Sequence, residues 1–243
     1  VIANEPAYED ANRCNPIDGK NLARVFPGDP KGSVTEQIAY WMGEILIGKA
    51  DYYIDLHSSG SDSEMPQMCG YIKSDSTGHH LTSQDMAEAF RANVTWAHPN
   101  FSSGRTLSYA YDHVIPAIYS ECPSTRCVSI NDLEVYSRGA LNVMKLIGMT
   151  QGKLEGSPSK YYLSGNGDTD QCVSATTDGF FQPDKNLLDL VKKGESLGTI
   201  KSLSGELLEE IFSPIQGYVG MRRMLPSTHV GDSLFMIVDG FRS

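Results

Sequence analysis

Two stretches share one build: Ala50-Asp51-Tyr52-Tyr53-Ile54-Asp55-Leu56-His57-Ser58 and Val114-Ile115-Pro116-Ala117-Ile118-Tyr119-Ser120-Glu121. Each is a short apolar run, rich in Tyr and Ile, that stops on polar groups. Such runs read as buried strands, with Pro116 tolerable at a strand start. A buried polar group left unpaired costs about 1–3 kcal/mol, so the polar residues that end these strands need partners. In open α/β sheets, ligands and chemistry gather at the carboxyl ends of strands. His57, with Asp55 two residues before it, is therefore a candidate metal ligand. If the two strands run parallel, His57 and Glu121 emerge on the same sheet edge.

Around these strands the pattern alternates. Ser33 and Glu36 form a capping box, and Ile38, Trp41, Met42, Ile45 and Leu46 behind it fall on one helical face. Residues 58–64 are a loop of Ser, Gly and Asp, and residues 65–72 read as an edge strand. A second helix is expected over residues 83–93 with Met86, Ala89 and Phe90 inward. A third is expected over residues 132–147, capped by Asn131 and closed by Gly148. Strands alternating with helices predict an α/β fold, a mostly parallel sheet flanked by helices. Past Gly156 the character changes to short β segments separated by Gly, Pro and Asp, with helical periodicity only over residues 187–192. These segments predict a small all-β barrel or sandwich. The expected division is an α/β domain over residues 1–154 and a β-rich domain over residues 155–243.

The composition narrows the function classes. Net charge is 20 − 30 = −10 over 243 residues, with no basic block, which argues against nucleic acid or an anionic membrane as partner. The longest apolar runs are too short to span a bilayer. Five cysteines without CxxC spacing fit neither a disulfide framework nor a zinc knot. They read as small buried hydrophobes, and a reducing, cytoplasmic setting is favoured.

Residues 13–30 read RCNPIDGKNLARVFPGDP, and in order with the capped helix, ADYYIDLHS, IPAIYSE and the helical GALNVM they resemble one family. The set is similar to the succinylglutamate desuccinylase/aspartoacylase family of the zinc carboxypeptidase clan. The resemblance spans essentially the whole chain. It implies a zinc-dependent amidohydrolase that deacylates an N-acyl amino acid or similar small carboxylate. It assigns His57 as a metal ligand, Glu121 as general base toward the metal-bound water, and Arg13 and Arg24 as the substrate-binding arginines. Asp55 would orient His57 from behind. Planar guanidinium forks suit carboxylate recognition.

The chain departs from the family pattern in three places. The upstream His and Glu or Asp ligands have no match before Asn12, so the catalytic domain is expected to be N-terminally incomplete. Ala23 stands where the family's Asn precedes the second arginine. Cys-Pro-Ser-Thr-Arg follows Glu121, so Arg126 enters the pocket or pairs with a surface acid. Two rival readings stay open: a carboxypeptidase-type metallopeptidase of the same clan, and a non-catalytic carboxylate-binding protein with an incomplete metal site. A homo-oligomer is compatible with either. His79, His80, His98, His113 and His229 read as structural or solvated, and Tyr109 and Tyr111 as pocket lining or core. Finally, residues 191–200, 213–219 and 230–234 resemble the biotinyl/lipoyl carrier hammerhead. Its hairpin tip here, Leu203-Ser204-Gly205-Glu206, has no lysine, so a carrier role is not expected.

Overall fold

The computed structural model describes residues 2–73, 81–123, 127–165 and 172–240. His79, His80 and Arg126 lie outside them. The first half carries helices α1 (Glu5–Glu9), α2 (Val34–Ile45), α3 (Ser83–Phe90), α4 (Thr106–Asp112) and α5 (Ile130–Leu146). Between them run strands β1 (Tyr53–Leu56), β2 (Ser63–Glu64), β3 (Met68–Ile72), β4 (Val94–His98) and β5 (Ala117–Glu121). The rest is strand: β6 (Tyr161–Ser164), β7 (Val173–Ser174), β8 (Gly179–Pro183), β9 (Leu190–Val191), β10 (Ser196–Lys201), β11 (Leu207–Phe212), β12 (Gly217–Arg223), β13 (Ser227–Thr228) and β14 (Ser233–Gly240).

The central sheet runs in the order β1-β5-β3-β4-β6-β14-β12-β2, with β7 on β14 and β9 on β12. The pairs β1–β5, β3–β4 and β4–β6 are parallel. The β3–β5 pair is antiparallel, as are the pairs made by β14 and β12. The sheet is thus mixed, and the expected parallel character holds for only part of it. A second sheet, β11-β10-β8-β13, is wholly antiparallel. The two sheets enclose an apolar core of Phe181, Leu197, Ile200, Leu234 and Phe235. The β-rich reading of the second half holds, whereas the helical reading of residues 187–192 does not: a turn there leads into β9.

Three local expectations also change. β3 lies inside the sheet between β5 and β4, and all five of its residues are buried. The α2 helix keeps its capping box, but its fully buried residues are the small ones: Thr35, Ala39 and Gly43 are buried and Met42 packs partly buried on the core, while Trp41, Ile45 and Leu46 are exposed. Gly43 explains this, because a Cβ there would sit 2.8 Å from the Tyr109 ring. A small-residue stripe lets Tyr109 close in, and that packing outweighs the bulk of the opposite face. Tyr109 is accordingly core. The α5 helix starts two residues earlier than expected, capped by Ser129 rather than Asn131, with the Ser129 hydroxyl accepting from the Asp132 amide at 3.4 Å. Only Cys69 and Cys122 among the cysteines are buried, and Cys127 is exposed.

Candidate active site

Parallel pairing of β1 with β5 puts Asp55 opposite Tyr119 and Leu56 opposite Ser120. The next residues continue that register, and the His57 amide donates to the Ser120 carbonyl at 2.8 Å. His57 and Glu121 therefore leave the sheet side by side. They sit in a cleft of about 1160 Å³ whose walls include Arg13, Arg24, Arg105, Tyr119 and, from the second half, Asp232.

Asp55 fixes the imidazole. Its Oδ2 lies 2.9 Å from His57 Nε2 and also accepts from the Thr106 hydroxyl. Burial alone would raise the Asp55 pKa, but the hydrogen bonds from His57, Thr106 and Tyr53 win and hold it below the ordinary value. Burial alone would lower the His57 pKa, but the carboxylates of Asp55 and Glu121 win against both burial and Arg13, and it is raised. With Nε2 engaged by Asp55, Nδ1 is the nitrogen left for a ligand.

Glu121 is poorly compensated for its burial. Its Oε2 is buried without a hydrogen-bond partner among the described residues. Burial pushes its pKa from 4.5 up to about 7, with Asp55 adding to the rise and His57, Arg13 and Arg105 opposing it. A carboxyl poised there can take and return a proton at neutral pH.

The arginines are placed by loops. The turn at residues 15–20, in which Asn15 is buried, is pinned to the start of α2 by Asp18, which accepts from the Thr35 amide and hydroxyl, both at 2.8 Å. That turn carries Arg13 on one side and Arg24 on the other. Gly104, at φ +82°, lies so close to the Arg24 backbone that a Cβ would stand 2.5 Å from its carbonyl oxygen. The Phe26 amide donates to the Gly104 carbonyl at 3.0 Å, which brings Arg105 beside Arg24.

Arg105 and His98 are site residues that sequence reasoning missed. The Ser-Ser-Gly-Arg-Thr run ahead of α4 was the available signal for Arg105, a loop arginine at a helix start. His98 ends the unexpected strand β4, and its structural reading is only half the story. It is buried, its Nδ1 bonds the Gly165 carbonyl at 2.9 Å, and its Nε2 bonds the Tyr119 hydroxyl at 2.9 Å. Because the carbonyl can only accept, Nδ1 carries the proton and Nε2 accepts from Tyr119. Both residues line the cleft.

The zinc that the resemblance implies fits this donor set in part. His57 has Nδ1 left over, and Glu121, whose Oε2 is buried without a hydrogen-bond partner among the described residues, lines the same cleft. Among the described residues, however, no group of three His, Cys, Asp or Glu is placed to hold a metal.

The family model of the succinylglutamate desuccinylase/aspartoacylase catalytic domain matches residues 1–147. The chain belongs to that family. The chain is similar to N-alpha-acetyl-L-2,4-diaminobutyric acid deacetylase from Halomonas elongata, which is 25% identical over 98% of this chain and 70% of its own length. The product-bound ectoine utilization protein EutE (DoeB) of Ruegeria pomeroyi superposes with a TM-score of 0.86 at 25% identity, over 97% of this chain and 72% of that one. A succinylglutamate desuccinylase/aspartoacylase from Rhodobacter sphaeroides shares the fold, with a TM-score of 0.87 at 23% identity over 99% and 74% of the two chains. As a desuccinylase/aspartoacylase family member, the chain is a hydrolase of the amide-bond deacylase type. No helix among the described residues is long and apolar enough to cross a membrane.

Proposed function

We propose that the chain deacylates N-acyl amino acids, with Glu121 as the proton-transferring base and Arg13, Arg24 and Arg105 as the anion-binding groups. The observation that carries this reading is the buried, unpartnered Glu121 oxygen beside His57 in an arginine-walled cleft. A guanidinium fork engages the substrate carboxylate with two parallel charge-assisted bonds, which sets the register of the scissile amide. Another guanidinium offers N–H donors to the oxygen that gains charge as the carbonyl is attacked. Glu121 accepts a proton from the attacking water and returns it to the leaving amine. Asp55 keeps His57 in one orientation by engaging Nε2, which leaves Nδ1 for a ligand.

Zinc belongs to this proposal as the ion that His57 would hold through Nδ1, with further ligands that the described residues do not supply. When bound by three protein ligands, zinc lowers the pKa of a coordinated water to about 7. The five cysteines, all free, support a reducing, cytoplasmic setting.

The test is twofold. Elemental analysis of the purified chain reads zinc per molecule, and a panel of N-acetyl amino acids and dipeptides reads the substrate class by release of free amine. Turnover of N-acetyl amino acids over dipeptides is expected, and zinc near one per chain would mean that ligands outside the described residues complete the site with His57. Preferential cleavage of dipeptides would move the chain to the peptidase side of the clan, and no hydrolysis at saturating zinc would overturn the proposal.

A further inference from the structure

The loop at residues 58–64 leaves His57 and lines the cleft, yet it has no secondary structure of its own before β2. Two anchors hold it. At the near end the buried Ser59 donates its hydroxyl to the Cys122 carbonyl, one residue past Glu121, and accepts from the Met65 amide at 3.0 Å. The Ser63 hydroxyl then donates to the Ser59 carbonyl at 2.7 Å. At the far end β2 pairs with β12, Ser63 opposite Arg223 and Glu64 opposite Arg222, and the Met224 amide donates to the Asp62 carbonyl at 2.8 Å. The loop thus bridges the strand end that carries Glu121 and the β-rich half of the chain.

Arg223 sits at the crossing. Its side chain is only 6% exposed, an expensive place for a guanidinium unless every donor is used. Nη2 reaches Asp232 at 2.8 Å and the Ser227 carbonyl at 2.8 Å, Nε reaches the same carbonyl at 3.1 Å, and Nη1 points to Asp62 at 3.4 Å. Asp62 and Asp232 come from opposite halves of the chain, and both line the cleft. Arg222, next in sequence, pairs with Glu64 and donates to the Lys185 carbonyl at 3.1 Å. Only a planar fork reaches two carboxylates and a carbonyl at once.

We propose that Arg223 is a positioning residue: by clasping Asp62 and Asp232 together it fixes the 58–64 loop and sets the rim of the cleft. The role is distinct from that of the arginines inside the cleft, because Arg223 lies behind the wall and meets the substrate only through what it holds. Its effect on turnover rests on the deacylase reading, whereas its effect on the loop does not.

The experiment uses the full chain and the variants Arg223→Met and Arg223→Lys. Amide hydrogen exchange reads the loop directly. In Arg223→Met, exchange at residues 60–64 accelerates by about tenfold or more while the core of β14 keeps its wild-type rate, the mark of local rather than global opening. With the best N-acetyl amino acid, KM rises about tenfold and kcat stays within about threefold, since ground-state capture is lost and the chemistry is not. Arg223→Lys, which can reach one carboxylate but not both, falls between. Should Arg223→Met fail to fold, the lysine variant carries both readouts. Exchange that rises equally throughout, or a lysine variant equal to wild type in loop exchange, overturns the proposal. If the wild-type chain hydrolyses no N-acyl amino acid, the deacylase reading fails and the exchange measurement still decides the role of Arg223.

Discussion

Replacing Glu121 by Gln keeps the size of the side chain and removes its titration, so it isolates what burial does to this carboxyl. Burial lifts its pKa from 4.5 to about 7 in the folded chain. In the unfolded chain it ionises near its ordinary value. Between those two values the native state holds a proton that the unfolded state has lost, so stability falls as pH rises. At 1.36 kcal/mol per pH unit, the rise from 4.5 to about 7 amounts to about 3 kcal/mol, fully expressed above neutrality. Urea unfolding in chelator should therefore show Glu121→Gln more stable than wild type by about 3 kcal/mol at about pH 8, and by less than about 1 kcal/mol at about pH 5. The same variant should lose about 10²–10⁴-fold in turnover with zinc restored, the usual share of a general base. A gain of equal size at both pH values, or none at the higher one, would refute the claim that desolvation governs this group.

Asp55→Asn removes the carboxylate that fixes His57, and zinc affinity measured by chelator competition should drop about 10–100-fold; unchanged affinity would show that Asp55 does not act through His57. Arg24→Met and Arg105→Met should each raise KM at least about tenfold, the loss expected for a charge-assisted hydrogen bond, and a variant with wild-type KM would leave that arginine outside the substrate contacts. Gly70→Ala forces a Cβ to within 2.1 Å of the Tyr119 ring and 2.9 Å of His98 Nε2. That overpacking should cost about 1–3 kcal/mol and lower the melting temperature; an unshifted melting curve would show that β3 can move aside.

The two strands that bring His57 and Glu121 together were legible because each is a short apolar run closed by polar residues, and parallel pairing does the rest. Helix α3 was legible for a similar reason: Met86, Ala89 and Phe90 mark its inner face. Helix α2 shows where periodicity fails. Its bulkiest residues suggested the buried side, but Gly43 admits the Tyr109 ring and the helix buries its smallest residues instead. The antiparallel insertion of β3 was also hidden, since strand direction depends on partners far away in sequence. His98 belongs to the cleft because β4 lies beside β3, and Arg105 because Gly104 packs on Arg24. Neither contact leaves a local pattern. The clasp at Arg223 joins residues 161 positions apart in the chain, a separation no motif spans.

The position of β14 has a consequence for how the chain is made. This strand, the last of the described ones, pairs with β6, β7 and β12, and it is the seam through which the central sheet continues from one half of the molecule to the other. A ribosome releases residues in order, so β6 waits with an open edge until residues 233–240 have emerged. During that interval an exposed strand edge is a template for wrong pairing. Shortening the chain by its last strand is therefore no trimming of a tail. It would leave three strands without their common partner, and the nascent chain would meet the degradation machinery with its sheet still open.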